Sequence, residues 1–554
     1  MYQKRNPQST MFETSYLVPE AKAKRLRASW AETFRTRALG LIDEDLFAPL
    51  YCRDNGRPNR PVQTVLGVLI LKDMFDLTDA EALERLEFDL LWHHALSLEP
   101  EEAHLPQKTL HNFRARMMAH DSGPLAFASI TDRVVEVLGT NLSQQRLDST
   151  QVMSNIAVLT RLGVFCETVR LFLTRLEDEH PRLYGRVASG LLGRYLRADG
   201  STTAYQDARS ADGPRRLSVC ARDVYRLCTL FAGTAAASME SFGLVQRLLE
   251  EQCEVVEEKQ PPSKDDDDTS DGAVPVVLKA PKEVSGTSLQ SPHDPDATYS
   301  KRKGKGHEVQ VVETCQADNV TQVITHVGVS EVCGSDAQAV IPVLENLAQR
   351  GLQPQELVAD TAYGSAENAL NAERVGTELI SPVAGSTQVI EEVAPESRPL
   401  TGADFHVDAR LEDPAVCPGG HFATDQRSHV KHPNRVQLTF DGQTCESCPL
   451  FQHCPAQLNT DGDGYVLTVD LAAANLERRR RAEADGTFAP RYRIRAGSEA
   501  TNSELKRRHG MGDLRVRGRP RVVLAVHLKA LACNLKRMVR ALTPKLTHMR
   551  PATA

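Results

Sequence analysis

Apolar residues recur at spacings of three and four from Asp43 to about His120, as in PVQTVLGVLILKDMFDLTDAEALERLEFDLLW, and this is the period of helices. Thr78 and Asp79 stand where a helix N-cap is expected. LPQKTLHNFRARM then offers Thr109 as a cap for a short helix carrying Arg114 and Arg116. Two short helices followed by a basic one suit a helix-turn-helix-like DNA module. A plain helical bundle for dimerisation fits the same residues equally well. QQRLDSTQV reads as a short strand ending near Asp148, and residues 155–250 return to helical spacing in RLGVFCETVRLFLTRLEDEH and SFGLVQRLLEEQ.

From His293 the pattern changes again. HEVQVVET and QVITHVGVS predict adjacent strands, DAQAVIPVLENLAQRG a helix ending at Gly351, and ELVAD a short buried strand. GSAENALNAERVG predicts a helix and ELISPVA another strand. Alternation of this kind argues a mixed α/β core. The pattern divides the chain into a basic arm (1–45), a helical DNA-binding or dimerisation domain (46–125), and a first core strand with a helical insertion (140–250). An acidic disordered linker (251–290), an α/β core (291–400), a cysteine-rich insertion (401–470) and C-terminal core helices (485–545) follow.

Composition changes this picture in three places. The chain has 554 residues, 41% hydrophobic and 25% charged, as in ordinary globular proteins. No apolar run approaches the roughly 18 residues of a membrane span, and MYQKRNPQST lacks the apolar core of a signal peptide. A cytoplasmic protein without a membrane partner is expected. The net charge of −7 is unevenly spread. Glu250–Asp271 holds ten acidic residues against two basic, whereas Arg491–Ala554 holds sixteen Lys and Arg against three acids. So basic a segment points to a polyanion such as nucleic acid.

Twelve cysteines include Cys417, Cys445, Cys448 and Cys454, spaced C-x27-C-x2-C-x5-C. Four thiolates at such spacing would close a structural tetrahedral zinc site, with His421 and His453 as substitutes. An iron–sulfur cluster uses the same ligands, and four reduced cysteines without metal is the plain alternative.

The carboxylates carry the sharpest chemistry. Asp148 follows Leu147 in LDST and Asp360 follows the apolar run of ELVAD, and both acids are expected at strand ends. With a third acid on a helix they could hold two divalent metals for phosphoryl transfer. RYRIRAGSEATNSELKRRHG offers that acid. At about 100° per residue on a helix, Tyr492, Arg495, Glu499 and Lys506 fall within about 60° on one face, while Glu504 lies on another side. Glu499 is the expected ligand and Glu504 a solvated bystander. Gly497 disfavours a continuous helix, so a helix beginning at Ser498, with Tyr492 and Arg495 on the preceding turn, is the other reading.

The spacing Tyr492-x2-Arg495-x3-Glu499-x6-Lys506 resembles the signature of a large group of bacterial insertion-sequence transposases, the DDE enzymes with a ribonuclease H-like core. Asp148 and Asp360, the latter in ADTAYGS, resemble the group's first and second acids. SPHDPDATYSKRKGKGHEVQVVET resembles the strand region after the first acid, and residues 43–118 the helical N-terminal domain of InsH-type members. The resemblance implies an α/β fold: a ribonuclease H-like mixed sheet with an all-α N-terminal domain. It implies strand cleavage and transfer at the ends of the element, with Asp148, Asp360 and Glu499 holding two Mg²⁺ or Mn²⁺ ions. DNA partners would be element ends with inverted repeats and target DNA, contacted by Tyr492, Arg495, Lys506, Arg507 and Arg508. A homodimer or larger synaptic complex at the bacterial nucleoid is also implied.

Overall fold

β1 (Gln144–Val152) is the strand on which the main sheet is built. The computed structural model describes residues 1–5, 18–53, 55–197, 205, 212–256, 275–384 and 398–544. After β1 the chain leaves the sheet for a helical insertion, which ends in the antiparallel pair β2 (Cys253–Val255) and β3 (Val276–Leu278). Phe172, Phe231 and Phe242 give the insertion a hydrophobic core of its own. Arg161 closes its base, with Nε donating to Gln252 Oε1 at 2.8 Å and Nη2 to the Lys279 carbonyl at 3.0 Å. The Asp265–Asp268 run, read from the sequence as disordered linker, lies outside the described residues.

The chain returns through β4 (Thr298–Ser300), β5 (Gly304–Thr314) and β6 (Ile324–Glu331), all antiparallel to their neighbours. β7 (Glu356–Val358) and β8 (Glu378–Ile380) follow, each after a helix, Val340–Gln349 and Ala366–Arg374. Those helices supply the crossovers that parallel pairing requires. The order is β4-β5-β1-β7-β8, with β6 on the far side of β5. β1 runs antiparallel to β5 and parallel to β7. This is the mixed, ribonuclease H-like sheet that the resemblance implies.

Three local expectations need correction. β1 does not end near Asp148 but runs four residues further. Its antiparallel partner β5 accompanies it from Gln145 to Val152, whereas β7 covers only Gln144–Arg146. The sheet therefore ends beside Asp148 on one side only. Thr109 does not cap a helix: the Gln107–Ala119 helix begins after Pro106, whose fixed φ suits a helix start. Thr78 does cap the Asp79–Phe88 helix, in a reciprocal capping box with Glu81. The segment read as a basic arm is not free throughout, since Ala31, Phe34, Ala38, Leu39 and Ile42 are buried in the main core.

That core joins both ends of the chain. The C-terminal helix, Arg519–Leu542, packs on helices Ser122–Leu138 and Val62–Met74 and on β6. Leu528, Leu531, Leu535 and Met538 are buried there. Asn534 fixes the helix to β6, with its amide nitrogen donating to the Ile324 carbonyl and its oxygen accepting from the Ile324 N–H, both at 2.8 Å.

A second sheet, β9 (Asp425–His429), β10 (His432–Asp441), β11 (Gln457–Leu458) and β12 (Gly464–Asp470), lies between β8 and the C-terminal helices. It buries Phe405, Val436, Leu438, Phe440 and Val469. Helix Leu471–Ala484 then leads to Phe488–Tyr492, a 3-10 turn Arg493–Ala496, and the helix Gly497–Arg508.

Gly497 opens that last helix against Arg146 of β1. A Cβ at this position would lie 1.8 Å from Arg146 Nη1, and the guanidinium cannot move aside freely because it is held by Glu313 and by the Ile494 carbonyl. Helix propensity alone predicts that Gly497→Ala stabilises the protein by about 0.5–1 kcal/mol. The packing predicts the opposite sign, a loss of about 1–3 kcal/mol in urea unfolding.

Candidate carboxylate site

Arg146 and Val358 are partners in the parallel β1–β7 register. Asp148 and Asp360 each lie two residues beyond that pair, so they stand at the same level on adjacent strands and on the same face. Both are sequence-predicted ligands, and the structure brings them together. Arg495 lies between them, with Nη2 3.2 Å from Asp148 Oδ1 and 3.7 Å from Asp360 Oδ2. Asn502 Nδ2 donates to Asp148 Oδ2 at 3.0 Å, and Asp360 Oδ1 accepts from the Ala362 N–H at 2.8 Å.

The electrostatics follow from this geometry. Burial pushes the Asp148 carboxyl up, Arg495 opposes that shift, and the Asp360 charge adds to it. The Tyr492 phenol is raised chiefly by burial, and feels Arg495, Asp360 and Asp148 as well. Tyr492 stacks on Phe488, with ring centroids 5.1 Å apart. The 3-10 turn advances about 120° per residue, so Tyr492 and Arg495 nearly eclipse. The uniform 100° count had set them 60° apart.

Glu499 lies in the first turn of the Gly497–Arg508 helix, where the helix dipole favours an anion. Arg495 precedes it by four residues and Asn502 follows it by three, and both bond to Asp148. Its carboxylate is exposed and takes no hydrogen bond among the described residues. Lys506 is half-buried on the same helix. Burial lowers its pKa, opposed by Asp513. Arg507 and Arg508 are exposed.

Two residues predicted to contact DNA have partners within the N-terminal helical region. Arg114 forms a two-pronged ion pair with Asp79, and Arg116 stacks over Tyr51 at 4.8 Å. Neither has a contact with the carboxylates. Glu504 is not the solvated bystander expected from its helical angle. It accepts from Arg537 Nε at 3.0 Å and Nη2 at 2.7 Å, tying its helix to the C-terminal helix.

The sequence reading missed the network beneath. Glu313 of β5, 1% exposed, faces Arg146 across the strand pair. Arg146 Nε donates to Glu313 Oε1 at 2.9 Å and Nη1 to the Ile494 carbonyl at 2.9 Å. Thr501 Oγ1 and Arg537 Nη1 donate to Glu313 Oε2 at 2.7 and 3.2 Å. These bonds hold the 3-10 turn and the Glu499 helix over β1. The one available signal was an arginine two residues before Asp148, on the same strand face.

The cysteines form a separate site. Cys417, Cys445, Cys448 and Cys454 line one cavity with His421, Phe405, Phe440 and Phe451. A Cβ at Gly419 would lie 3.1 Å from Cys448 Sγ and 3.6 Å from Cys417 Sγ, and Gly420 beside it takes φ 83°, so the turn after Cys417 favours glycine. Burial and the other three thiols push Cys445 up to about 11. Among the described residues, only Glu504, His509 and Cys533 present three metal-binding atoms within 4.8 Å of one another. Neither the four thiols nor the Asp148–Asp360–Glu499 set is that tight.

Residues 416–539 match the family model described as transposase DDE domain, and residues 26–116 match that described as transposase domain (DUF772). No curated protein and no solved structure matches the chain. The first match takes in the cysteines and the Glu499 helix, the second most of the N-terminal helices. With a ribonuclease H-like sheet between them, the two matched stretches support a DDE transposase of the insertion-sequence type, a family that implies DNA as partner.

Proposed function

We propose that this transposase cleaves DNA strands at the ends of its own insertion sequence and joins them to target DNA. Asp148, Asp360 and Glu499 would hold two divalent cations, Mg²⁺ or Mn²⁺. The observation that carries the reading is the Arg495 guanidinium lodged between Asp148 and Asp360. Two carboxylates at one level repel and demand a cation. Oxygen donors of this kind suit hard divalent ions. Such ions supply charge neutralisation at the scissile phosphate and activation of the attacking oxygen.

The chain's own residues position the substrate. Arg495 is within reach of both acids, so it is placed to turn to a phosphate oxygen once they are otherwise neutralised. Tyr492 offers a ring beside it for a base or sugar. Lys506, Arg507 and Arg508 continue the cationic edge along the helix and would follow the DNA backbone. Arg114 and Arg116 belong to the N-terminal helices, whose part in end binding or dimerisation is a separate element of the proposal. In the cysteine site, Cys417, Cys445, Cys448 and Cys454 would hold one structural Zn²⁺. The four cysteines gathered round one cavity and the glycine turn beside them fit a thiolate centre. Pairing of two element ends implies at least a dimer. None of the described helices is long and apolar enough to cross a membrane, and a role at the nucleoid accords with that.

The test uses DNA carrying the element's inverted repeats. Asp148→Asn, Asp360→Asn and Glu499→Gln should each lower Mg²⁺-dependent cleavage by at least about 10²–10³-fold, while end binding stays within a few-fold. Binding without cutting by the wild type, in Mg²⁺ and in Mn²⁺, would instead mark a transposase-derived DNA-binding regulator. Equal cutting of DNA without the repeats would mark a general nuclease.

Glu504→Gln separates the two glutamates. It should retain cleavage per folded molecule and lower unfolding stability by about 1.5–3 kcal/mol, through weakened bonds to Arg537. Loss of cleavage in Glu504→Gln but not in Glu499→Gln would reverse the assignment. End binding should also weaken steeply with salt. Arg507→Ala and Arg508→Ala should each reduce the log–log salt slope by about 1 in a fluorescence-anisotropy titration.

A further inference from the structure

A third cluster lies away from the carboxylates and the four cysteines. Glu504 is near the end of the Gly497–Arg508 helix, His509 directly follows that helix, and Cys533 is midway along the C-terminal helix. One donor atom from each lies within 4.8 Å of the other two. His509 and Cys533 are both 0% exposed.

The imidazole is set for a ligand. His509 Nδ1 lies 2.9 Å from the Asp73 carbonyl oxygen. A carbonyl only accepts, so Nδ1 carries the proton and Nε2 presents a lone pair. Nε2 is buried and has no hydrogen-bond partner. Burial, then the charge of Lys536, lowers the pKa of this ring to about 4, so it is neutral at pH 7. A neutral imidazole whose other nitrogen donates to a backbone carbonyl is the form in which histidine usually binds metal. Glu504 is equally available. Both Arg537 bonds fall on Oε2, leaving Oε1 free. The neighbouring lysines are turned to backbone, Lys529 to the His509 carbonyl and Lys536 to the Met74 carbonyl. Burial pushes the Cys533 thiol up to about 12, and a bound cation would displace its proton.

We infer that Glu504 Oε1, His509 Nε2 and Cys533 Sγ form a site for one divalent transition cation of the zinc or cobalt class. One thiolate, one imidazole and one carboxylate suit such an ion and not Mg²⁺. Three protein donors leave one tetrahedral position for water. The thiolate and carboxylate offset the ion's two charges. The ion joins the end of the helix that carries Glu499 to the C-terminal helix, so its role is structural. It is independent of the proposed catalytic ions.

The full-length chain, stripped by chelator and reloaded with Zn²⁺, is assayed for bound metal beside His509→Asn and Cys533→Ser. Asparagine keeps an N–H for the Asp73 carbonyl and removes the Nε2 lone pair. Each variant should bind one equivalent less than wild type, and added Zn²⁺ should raise the melting temperature less. Unchanged stoichiometry in both variants overturns the site. Should either variant fail to fold, ¹¹³Cd NMR of the cadmium-loaded wild type decides. A centre with one sulfur resonates between all-oxygen and all-sulfur centres. A resonance there supports the site, and its absence overturns it.

Discussion

The Glu313 carboxylate is the point on which the rest of the site depends. It is buried on β5 and bound by Arg146 from β1, Thr501 from the Glu499 helix and Arg537 from the C-terminal helix. A lone carboxylate in that position would be strongly disfavoured, and removing one partner from a buried pair typically costs about 3–5 kcal/mol. Two guanidiniums and a hydroxyl, each from a different element, satisfy it and tie those elements together. The same Arg146 reaches the Ile494 carbonyl and fills the space a side chain at 497 would need. The position of Glu499 relative to Asp148 is therefore set both by this buried network and by the bonds of Arg495 and Asn502 to Asp148.

The long intervals between the acids become intelligible in the same frame. The segment between β1 and β5 folds around its own phenylalanine core and is closed at its base by Arg161. The segment between β8 and the Glu499 helix contains a second sheet with its own apolar face. A unit that buries its own apolar surface makes little demand on the sheet it interrupts. β1 and β7 remain paired in register although more than two hundred residues separate their acids.

What the sequence made legible was whatever rests on period. The alternating segments from His307 onward became strands, and the apolar run of the last helix became the centre of the core. Asp360 was legible because it ends an apolar run, whereas Asp148 had only Leu147 before it and rested on its likeness to the family's first acid. The Tyr492–Lys506 spacing fell on a 3-10 turn followed by a helix, not on one continuous helix. The 3-10 turn at Arg493–Ala496 was not legible, because a 3-10 turn and an α-turn share the same polar composition. Glu504 was misread for a related reason. A helical angle says which side a residue occupies, not whether another helix lies there. Arg146, Glu313 and Arg537 look like surface charges in a string of letters. Only tertiary packing shows them to be buried and paired. Thr109 was misplaced because Pro106 starts the helix earlier than a threonine cap would.

Arg495 links this architecture to the proposed chemistry. Parallel pairing of β1 and β7 sets two acids side by side, and burial makes the charge on Asp148 still less favourable. The fold must therefore supply positive charge there whether or not a divalent ion is present. It does so from the 3-10 turn that Arg146 holds in place. On the proposed reading, a guanidinium on a movable side chain is suited to this. It keeps the acids together in the free protein, and as a planar five-donor group it can exchange carboxylate oxygens for phosphate oxygens. A lysine at 495 would neutralise the acids as well but could not offer the same two-pronged contact to a phosphate. The fixed part of the site is thus the buried Glu313 network, and the part able to respond to DNA is the exposed turn mounted on it.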